Sequence, residues 1–106
     1  MENLGYRSKE ILIFGRSMGT GVAVKLIADH LGEDKAPAAL IMFSAYSSIK
    51  DIVSAHSCLP IKCLIKDHFN SDKIIDKVKC PTLFIHGLKD TYIPIAQAKK
   101  LLSKLD

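Results

Sequence analysis

The sequence predicts an α/β fold: a three-layer α/β/α arrangement built on a parallel sheet. Three short apolar runs, at 11–14, 39–43 and 82–86, each lead into a turn and then a helical pattern. Uninterrupted apolar runs of this length are typical of strands buried on both faces of a sheet. Strands that alternate with helices form parallel sheets, and ligands meet such sheets at the carboxyl ends of the strands. We therefore expect the chemistry of the protein at that edge.

The first strand, Ile11–Phe14, stops at Gly15. Residues 22–31 follow as a helix that is apolar around most of its circumference, which indicates a buried helix. Gly32 is placed to end this helix with a left-handed backbone conformation.

The middle of the chain is predicted less sharply. Residues 39–43 form the second strand, whereas the stretch 50–68 is ambiguous because Pro60 interrupts it. Asn70 or Ser71 can cap a short helix that runs as far as Lys77.

The third strand covers residues 82–86, and Pro94 stands where a further helix would begin. The spacing of apolar residues predicts the inward stripe of that helix, which consists of Ile95, Ala98, Leu102 and Leu105.

Composition excludes several functional classes. The net charge is +4, from 15 lysine and arginine residues against 11 aspartate and glutamate residues. The basic residues are scattered, which indicates a solvated surface and no nucleic-acid partner. No apolar run approaches the roughly 20 residues of a membrane span. Three cysteines without a Cys-x-x-Cys pair suggest neither a disulfide framework nor a zinc site, so we expect no metal.

Gly15, Ser17 and Gly19 form the pattern Gly-x-Ser-x-Gly between the first strand and the following helix. A serine hydroxyl stands clear of a sheet only if the chain turns sharply, which forces a positive φ on the serine. We expect the same turn to exclude side chains at positions 15 and 19. Ser17 is therefore the predicted nucleophile, at a helix N-terminus that favours negative charge. The backbone N–H of Met18 is the predicted oxyanion-hole donor.

Asp90 lies in the loop after the third strand, at the same edge of the sheet as Ser17. In enzymes with this serine motif the triad acid follows the serine along the chain. A carboxylate there holds a catalytic histidine in the right tautomer and stabilises its charged form. Asp90 is the predicted triad acid, with a simple cap of the turn before Pro94 as the alternative. Asp51, after the second strand, is a second candidate for the acid.

All four histidines, His30, His56, His68 and His86, precede Asp90. The catalytic base of this site comes after the acid in chain order, so we expect none of them to be that base. His86 ends the third strand and is expected to be structural.

Three serines, Ser44, Ser47 and Ser48, lie at the same edge but lack the sharp turn. We expect them to contact substrate or to cap a helix. A non-catalytic scaffold with the same fold is the rival interpretation, although a scaffold has no need of a strained serine at Ser17.

The segments Ile11–Ala23 and Cys80–Pro94 resemble the α/β-hydrolase superfamily. Phe14–Thr20 together with Pro81–Pro94 is similar to its Bem46-like branch, which includes the ABHD13-like and ABHD17-like serine hydrolases. The resemblance implies a hydrolase of ester or thioester bonds without metal or cofactor. It also implies a small-molecule or acylated-protein ester as substrate, in the cytoplasm or on a membrane surface that faces it. Any membrane association is expected only through segments outside this chain.

A complete hydrolase of this kind has several strands before the serine, where one early loop supplies a second oxyanion donor. It also has a catalytic histidine after the acid, whereas no histidine follows Asp90 here. We therefore expect residues 1–106 to be the central and C-terminal part of a single α/β-hydrolase domain. As an internal or truncated fragment, this chain is expected to be inactive on its own.

Overall fold

A computed structural model describes residues 4–56 and 69–105. The interruption expected at Pro60 lies outside the described residues, as does His68. Three strands form one parallel sheet in the order β1-β2-β3. The strands are β1, Leu12–Arg16; β2, Ala39–Phe43; and β3, Thr82–Ile85. The predicted parallel α/β sheet is therefore confirmed.

Three α-helices accompany the sheet in the described part of the chain. They are α1, Met18–Leu26; α2, Ile49–His56; and α3, Ile95–Leu102. Helix α1 begins before the predicted Val22, because the chain passes from strand to helix at Ser17 without a loop. A π-helical turn, Ile27–Leu31, prolongs α1, and Gly32 follows it with the expected positive φ of 60°.

The prediction of one short helix that runs as far as Lys77 is wrong. The structure has two separate 3-10 turns there, Ser71–Lys73 and Ile75–Lys77. Ile74 stands between them with φ −131° and ψ −3°, outside the helical region, and Asn70 makes no side-chain capping bond to the first turn. The local backbone therefore breaks the helix that the sequence pattern suggests.

The apolar core lies on one face of the sheet, where α1 and α3 contribute to a single cluster with β2. Leu40 and Met42 of β2 are fully buried at its centre. The helical members of this cluster are Ala23, Val24 and Ile27 from α1 and its π-helical extension, and Ala98 and Leu101 from α3.

The opposite face of the sheet is exposed within the described part of the chain. Its members include Leu12 and Phe14 of β1, which are 63% and 61% exposed, and Leu83 and Ile85 of β3. The first strand was expected to be buried on both faces, but its burial alternates along the strand. The reason is that the described helices α1 and α3 pack their apolar side chains on the side of Leu40.

Helix α3 turns a slightly different face inward from the one predicted. Ala98 and Leu101 are buried, Leu105 packs against the core, and Leu102 is exposed. Ala98 and Leu101 are three residues apart and share one face of the helix, and the packing of that face on the core leaves Leu102 outside.

No helix among residues 4–56 and 69–105 combines the length and apolar character that a bilayer crossing requires.

Candidate active site

Ser17 stands alone between the last residue of β1, Arg16, and the first residue of α1, Met18. Its backbone has φ 50° and ψ −120°, so the positive φ expected from the sequence is confirmed. A non-glycine residue rarely adopts such angles, which cost of order 1–3 kcal/mol and occur mainly where a site requires them. The serine itself is exposed at the carboxyl edge of the sheet.

The turn depends on the missing side chain of Gly15. A Cβ atom on Gly15 would lie 2.6 Å from the carbonyl oxygen of Gly19 and 2.8 Å from Cα of Thr20. The expected clash at position 15 is therefore confirmed. A Cβ atom on Gly19 would have no described atom within 4 Å, so the prediction of a clash at position 19 is wrong. The close approach uses the backbone of Gly19 and leaves the space beside its Cα open.

Hydrogen bonds hold the Ser17 turn from two sides. The Ser17 carbonyl accepts bonds from the Thr20 backbone N–H at 2.9 Å and from Thr20 Oγ1 at 2.6 Å. The Ser17 N–H donates to the carbonyl of Phe43, the last residue of β2, at 2.9 Å. Sequence reasoning missed Thr20, although a threonine three residues after the serine is the spacing at which such a hydroxyl reaches back along a helical turn.

Met18 is the first residue of α1, and its side chain is largely exposed. The first N–H groups of an α-helix have no partner within the helix, so the Met18 N–H is one of the donors that this end offers. The oxyanion-hole role of this N–H stays a prediction.

Asp90 is held by the backbone of its own loop. Its Oδ1 accepts bonds from the N–H groups of Tyr92 and Ile93, both at 2.9 Å, and Oδ2 lies 3.9 Å from Nε2 of His86. The side chain remains 19% exposed. Asp90 therefore caps its turn, as the alternative interpretation proposed, and still presents a carboxylate oxygen at the edge of the sheet.

The hydrogen bond from the Ile93 N–H is the largest influence on the pKa of Asp90 and lowers it below its usual range. Partial burial opposes this effect, whereas the Tyr92 N–H, the charge of His86 and the Ser44 hydroxyl lower the pKa further. Asp90 is thus an anion at neutral pH, which is the state that a triad acid requires.

His86 has a structural setting. Its side chain is 4% exposed, and its Nε2 lies 2.6 Å from the Ile93 carbonyl oxygen. Because a carbonyl only accepts, Nε2 carries the proton. Nδ1 is buried and has no partner among the described residues. This setting agrees with the structural role expected from the sequence.

Asp51, the second candidate for the acid, is engaged elsewhere. Its carboxylate accepts a bond from the Ser47 hydroxyl at 3.0 Å and pairs with Lys100 of α3 at 3.3 Å. The Ser48 hydroxyl accepts the Asp51 N–H at 3.1 Å, so Ser48 caps α2 as one of the two expected uses of this loop.

The Asp51 pair extends into a small ionic network. Lys100 also pairs with Asp72 at 3.2 Å, and Lys104 pairs with Asp72 at 2.8 Å. Burial acts most strongly on the pKa of Asp51 and would raise it, but the bonds from Ser47 and Lys100 outweigh burial and lower it. Sequence reasoning missed this network, since no motif links these three segments of the chain.

Among residues 4–56 and 69–105, no group of three or more histidine, cysteine, aspartate or glutamate side chains is placed to hold a metal ion. The Arg16 guanidinium, next to Ser17, lies 5.9 Å from the centre of the Phe43 ring.

The chain is similar to several curated proteins. It is 32% identical over 108 residues to a mimivirus protein named as an alpha/beta hydrolase, L404, from Acanthamoeba polyphaga mimivirus. It is 28% identical over 107 residues to the lysophosphatidylserine lipase ABHD12 of Danio rerio. It is also 33% identical over 94 residues to the uncharacterized protein Rv2307c of Mycobacterium tuberculosis.

These matches cover 100%, 88% and 88% of this chain but only 37%, 28% and 32% of the respective relatives. The chain thus spans about a third of the length of the curated relatives it matches. No family model matches it. The fold and the named relatives together support a place in the α/β-hydrolase superfamily.

Proposed function

We propose that this chain carries the nucleophile and the acid of a serine hydrolase that cleaves ester or thioester bonds. Ser17 is the nucleophile, Asp90 is the triad acid, and the Met18 N–H is one oxyanion donor. The observation that carries the proposal is the positive φ of Ser17 at a strand-to-helix turn without a loop. A strained strand-to-helix turn is what a nucleophile elbow requires, and this supports the proposal.

The placement of the two side chains supports a shared site. Ser17 follows β1 and Asp90 follows β3, with β2 between them. Two strand spacings amount to about 10 Å, a gap that one imidazole ring bridges when a serine and an aspartate reach toward it. In the reaction, that imidazole takes the proton of Ser17 during attack, and the negative charge of Asp90 stabilises the imidazolium that forms.

The base itself is a histidine other than those of the described segments near the acid. Both ring nitrogens of His56 lie within 3.1 Å of backbone carbonyls, those of Ile52 and Thr91. His86 is buried against Ile93. The unpartnered Nδ1 of His86 is buried, whereas Ser17 is exposed, so we place the base after Asp90 in chain order.

For the substrate we propose an acyl ester or thioester, on a small molecule or on an acylated protein. One relative, from Danio rerio, is named a lysophosphatidylserine lipase, which makes a lysophospholipid the first natural ester to test. Membership of the Bem46-like branch is part of the same proposal. So is action in the cytoplasm or on a membrane surface facing it.

Hydrolysis of p-nitrophenyl acetate and of a lysophospholipid by the full-length protein tests the proposal. We expect turnover that Ser17→Ala abolishes. Ser103→Ala is the matched control, since it removes a hydroxyl that follows α3 and donates to the Lys100 carbonyl. Activity that survives Ser17→Ala would contradict the proposal. A folded protein inactive on every ester and thioester would favour the scaffold interpretation.

A further inference from the structure

Arg16 is the charged residue of the strand that leads into the Ser17 turn. It is the last residue of β1, and Ser17 follows it directly. Burial along β1 alternates, and Arg16 is exposed on the same face of the sheet as Leu12 and Phe14. Its charge therefore lies at the carboxyl edge of the sheet, which is where ligands meet a parallel sheet.

An aromatic ring holds the Arg16 side chain at this edge. Arg16 pairs in register with Phe43, the last residue of β2, and the carbon of its guanidinium lies 5.9 Å from the centre of the Phe43 ring. A cation at this distance over an aromatic face is attracted by the ring. Because β2 lies between β1 and β3, the guanidinium leans toward the side of the sheet from which the Asp90 loop emerges.

The guanidinium of Arg16 has no anionic partner in the described part of the chain. Neither an ion pair nor a hydrogen bond joins it to another residue of the ranges 4–56 and 69–105. Arg7, by contrast, pairs with Glu10 at 3.0 Å. The stacking on Phe43 therefore orients the Arg16 charge without neutralising it.

Both carboxylates that the sequence places at this edge have other partners. Asp90 accepts two N–H groups of its own loop. Asp51 pairs with Lys100 at 3.3 Å. The positive charge of Arg16, next to the serine turn, is therefore available to a ligand.

We propose that Arg16 binds an anionic group of the ester substrate, a phosphate or a carboxylate, and thereby determines specificity. A planar guanidinium presents a fork of N–H donors that matches either group. An acyl chain is apolar, so the anionic group belongs to the alcohol part of the ester. This inference rests on the proposed function, in which Ser17 is the nucleophile.

Pairs of esters that differ in charge test this preference on the full-length protein. The phosphate pair consists of hexanoyl glycerol phosphate and hexanoyl glycerol. The carboxylate pair consists of the hexanoyl esters of glycolate and of glycolamide. The release of hexanoate gives kcat/KM for each ester. The quantity compared between variants is the ratio of kcat/KM for the anionic ester to kcat/KM for its neutral partner.

Arg16→Gln and Arg16→Met both remove the charge, and Arg16→Met keeps an unbranched apolar side chain beside the Phe43 ring. We expect the ratio to fall by about 10- to 100-fold in both variants for at least one pair, the usual effect of losing a hydrogen bond to a charged group. The pair whose ratio falls identifies the bound group as phosphate or carboxylate.

Lys25→Gln is the matched control, because Lys25 is a basic residue of α1 that already pairs with Asp29 at 2.7 Å. Its ratios should equal those of the unsubstituted protein. An equal fall in Lys25→Gln would overturn the inference, since net charge and not Arg16 would then set the preference.

Unchanged ratios for both pairs in the Arg16 variants that fold would also overturn the inference. This holds even if all four rates fall together, because an equal fall assigns Arg16 a structural role in the Ser17 turn. Failure of the proposed function gives a different result, namely no Ser17-dependent turnover of any ester or thioester by the unsubstituted protein. Ser17-dependent turnover with unchanged ratios shows that only the role of Arg16 is wrong.

Discussion

Nε2 of His86 donates a hydrogen bond to the carbonyl oxygen of Ile93 at 2.6 Å and thereby closes the loop that carries Asp90. The same Ile93 donates its N–H to Oδ1 of Asp90 at 2.9 Å. The acid is thus held by a loop whose two ends are joined through a buried ring. This arrangement explains how a loop residue keeps one orientation at the edge of the sheet.

The lowered pKa of Asp90 predicts how the stability of the protein depends on pH. A carboxyl whose folded pKa lies below its unfolded value stabilises the fold at pH values above that unfolded value, ~3.9 for aspartate. The contribution is lost as the pH falls through the folded pKa. Urea denaturation gives the free energy of unfolding of Asp90→Asn and of the unsubstituted protein at pH 7 and at about pH 3. We expect the variant to be less stable than the unsubstituted protein at pH 7, and the difference to be smaller at the lower pH. An equal difference in stability at both pH values would show that the charge of Asp90 does not stabilise the fold.

Asp90 and Asp51 can be separated by their effects on activity. We expect Asp90→Asn to lower kcat by up to ~10⁴, as the loss of a triad carboxylate does elsewhere. Asp51→Asn breaks its pairing with Lys100 and weakens its bond with Ser47, so it should cost about 0.5–1 kcal/mol of stability after solvent screening and leave kcat nearly unchanged. Kinetic assays and urea denaturation of both variants make the comparison. A large loss of kcat in Asp51→Asn, together with a nearly unchanged kcat in Asp90→Asn, would indicate that Asp51 is the triad acid.

The two glycines of the serine motif differ in the space around them. Gly15→Ala should lower the free energy of unfolding by about 1–3 kcal/mol, because its Cβ would lie 2.6 Å from the Gly19 carbonyl oxygen. Gly19→Ala is the matched control in the same motif. It lies in α1 and has open space among the described atoms, so helix propensity should make it neutral or stabilising by up to about 1 kcal/mol. Equal losses in the two variants would contradict the geometry of the turn.

The strain at Ser17 predicts an unusual order of stabilities. Ser17→Gly should be more stable than Ser17→Ala by about 1 kcal/mol, because glycine adopts a positive φ without a steric penalty. If residue 17 had an ordinary backbone conformation, Ser17→Gly would be the less stable variant. Thermal or urea denaturation of the two variants therefore distinguishes a strained backbone from a relaxed one. Ser17→Ala more stable than Ser17→Gly would mean that the backbone of Ser17 is relaxed.

Sequence alone predicted the features that short-range chemistry determines. The apolar run at 39–43 matches β2 at both ends, and the glycine spacing around Ser17 predicted its positive φ. Both depend on residues adjacent in the chain.

The features that sequence missed depend on contacts between distant segments. The pairing of Asp51 and Asp72 with Lys100 and the strained backbone of Ser44 have no local signal. The inward face of α3 was misjudged at Leu102 because the packing of the helix on the sheet fixes its rotation.

The central claim is that Ser17 is a nucleophile activated by its surroundings, and covalent labelling tests it most directly. The full-length protein should be treated with a fluorophosphonate probe, digested, and examined by mass spectrometry for the modified residue. The account predicts one adduct, on Ser17, which disappears in Ser17→Ala and persists in Ser103→Ala. An adduct on Ser44 or Ser47, or labelling that survives Ser17→Ala, would contradict it.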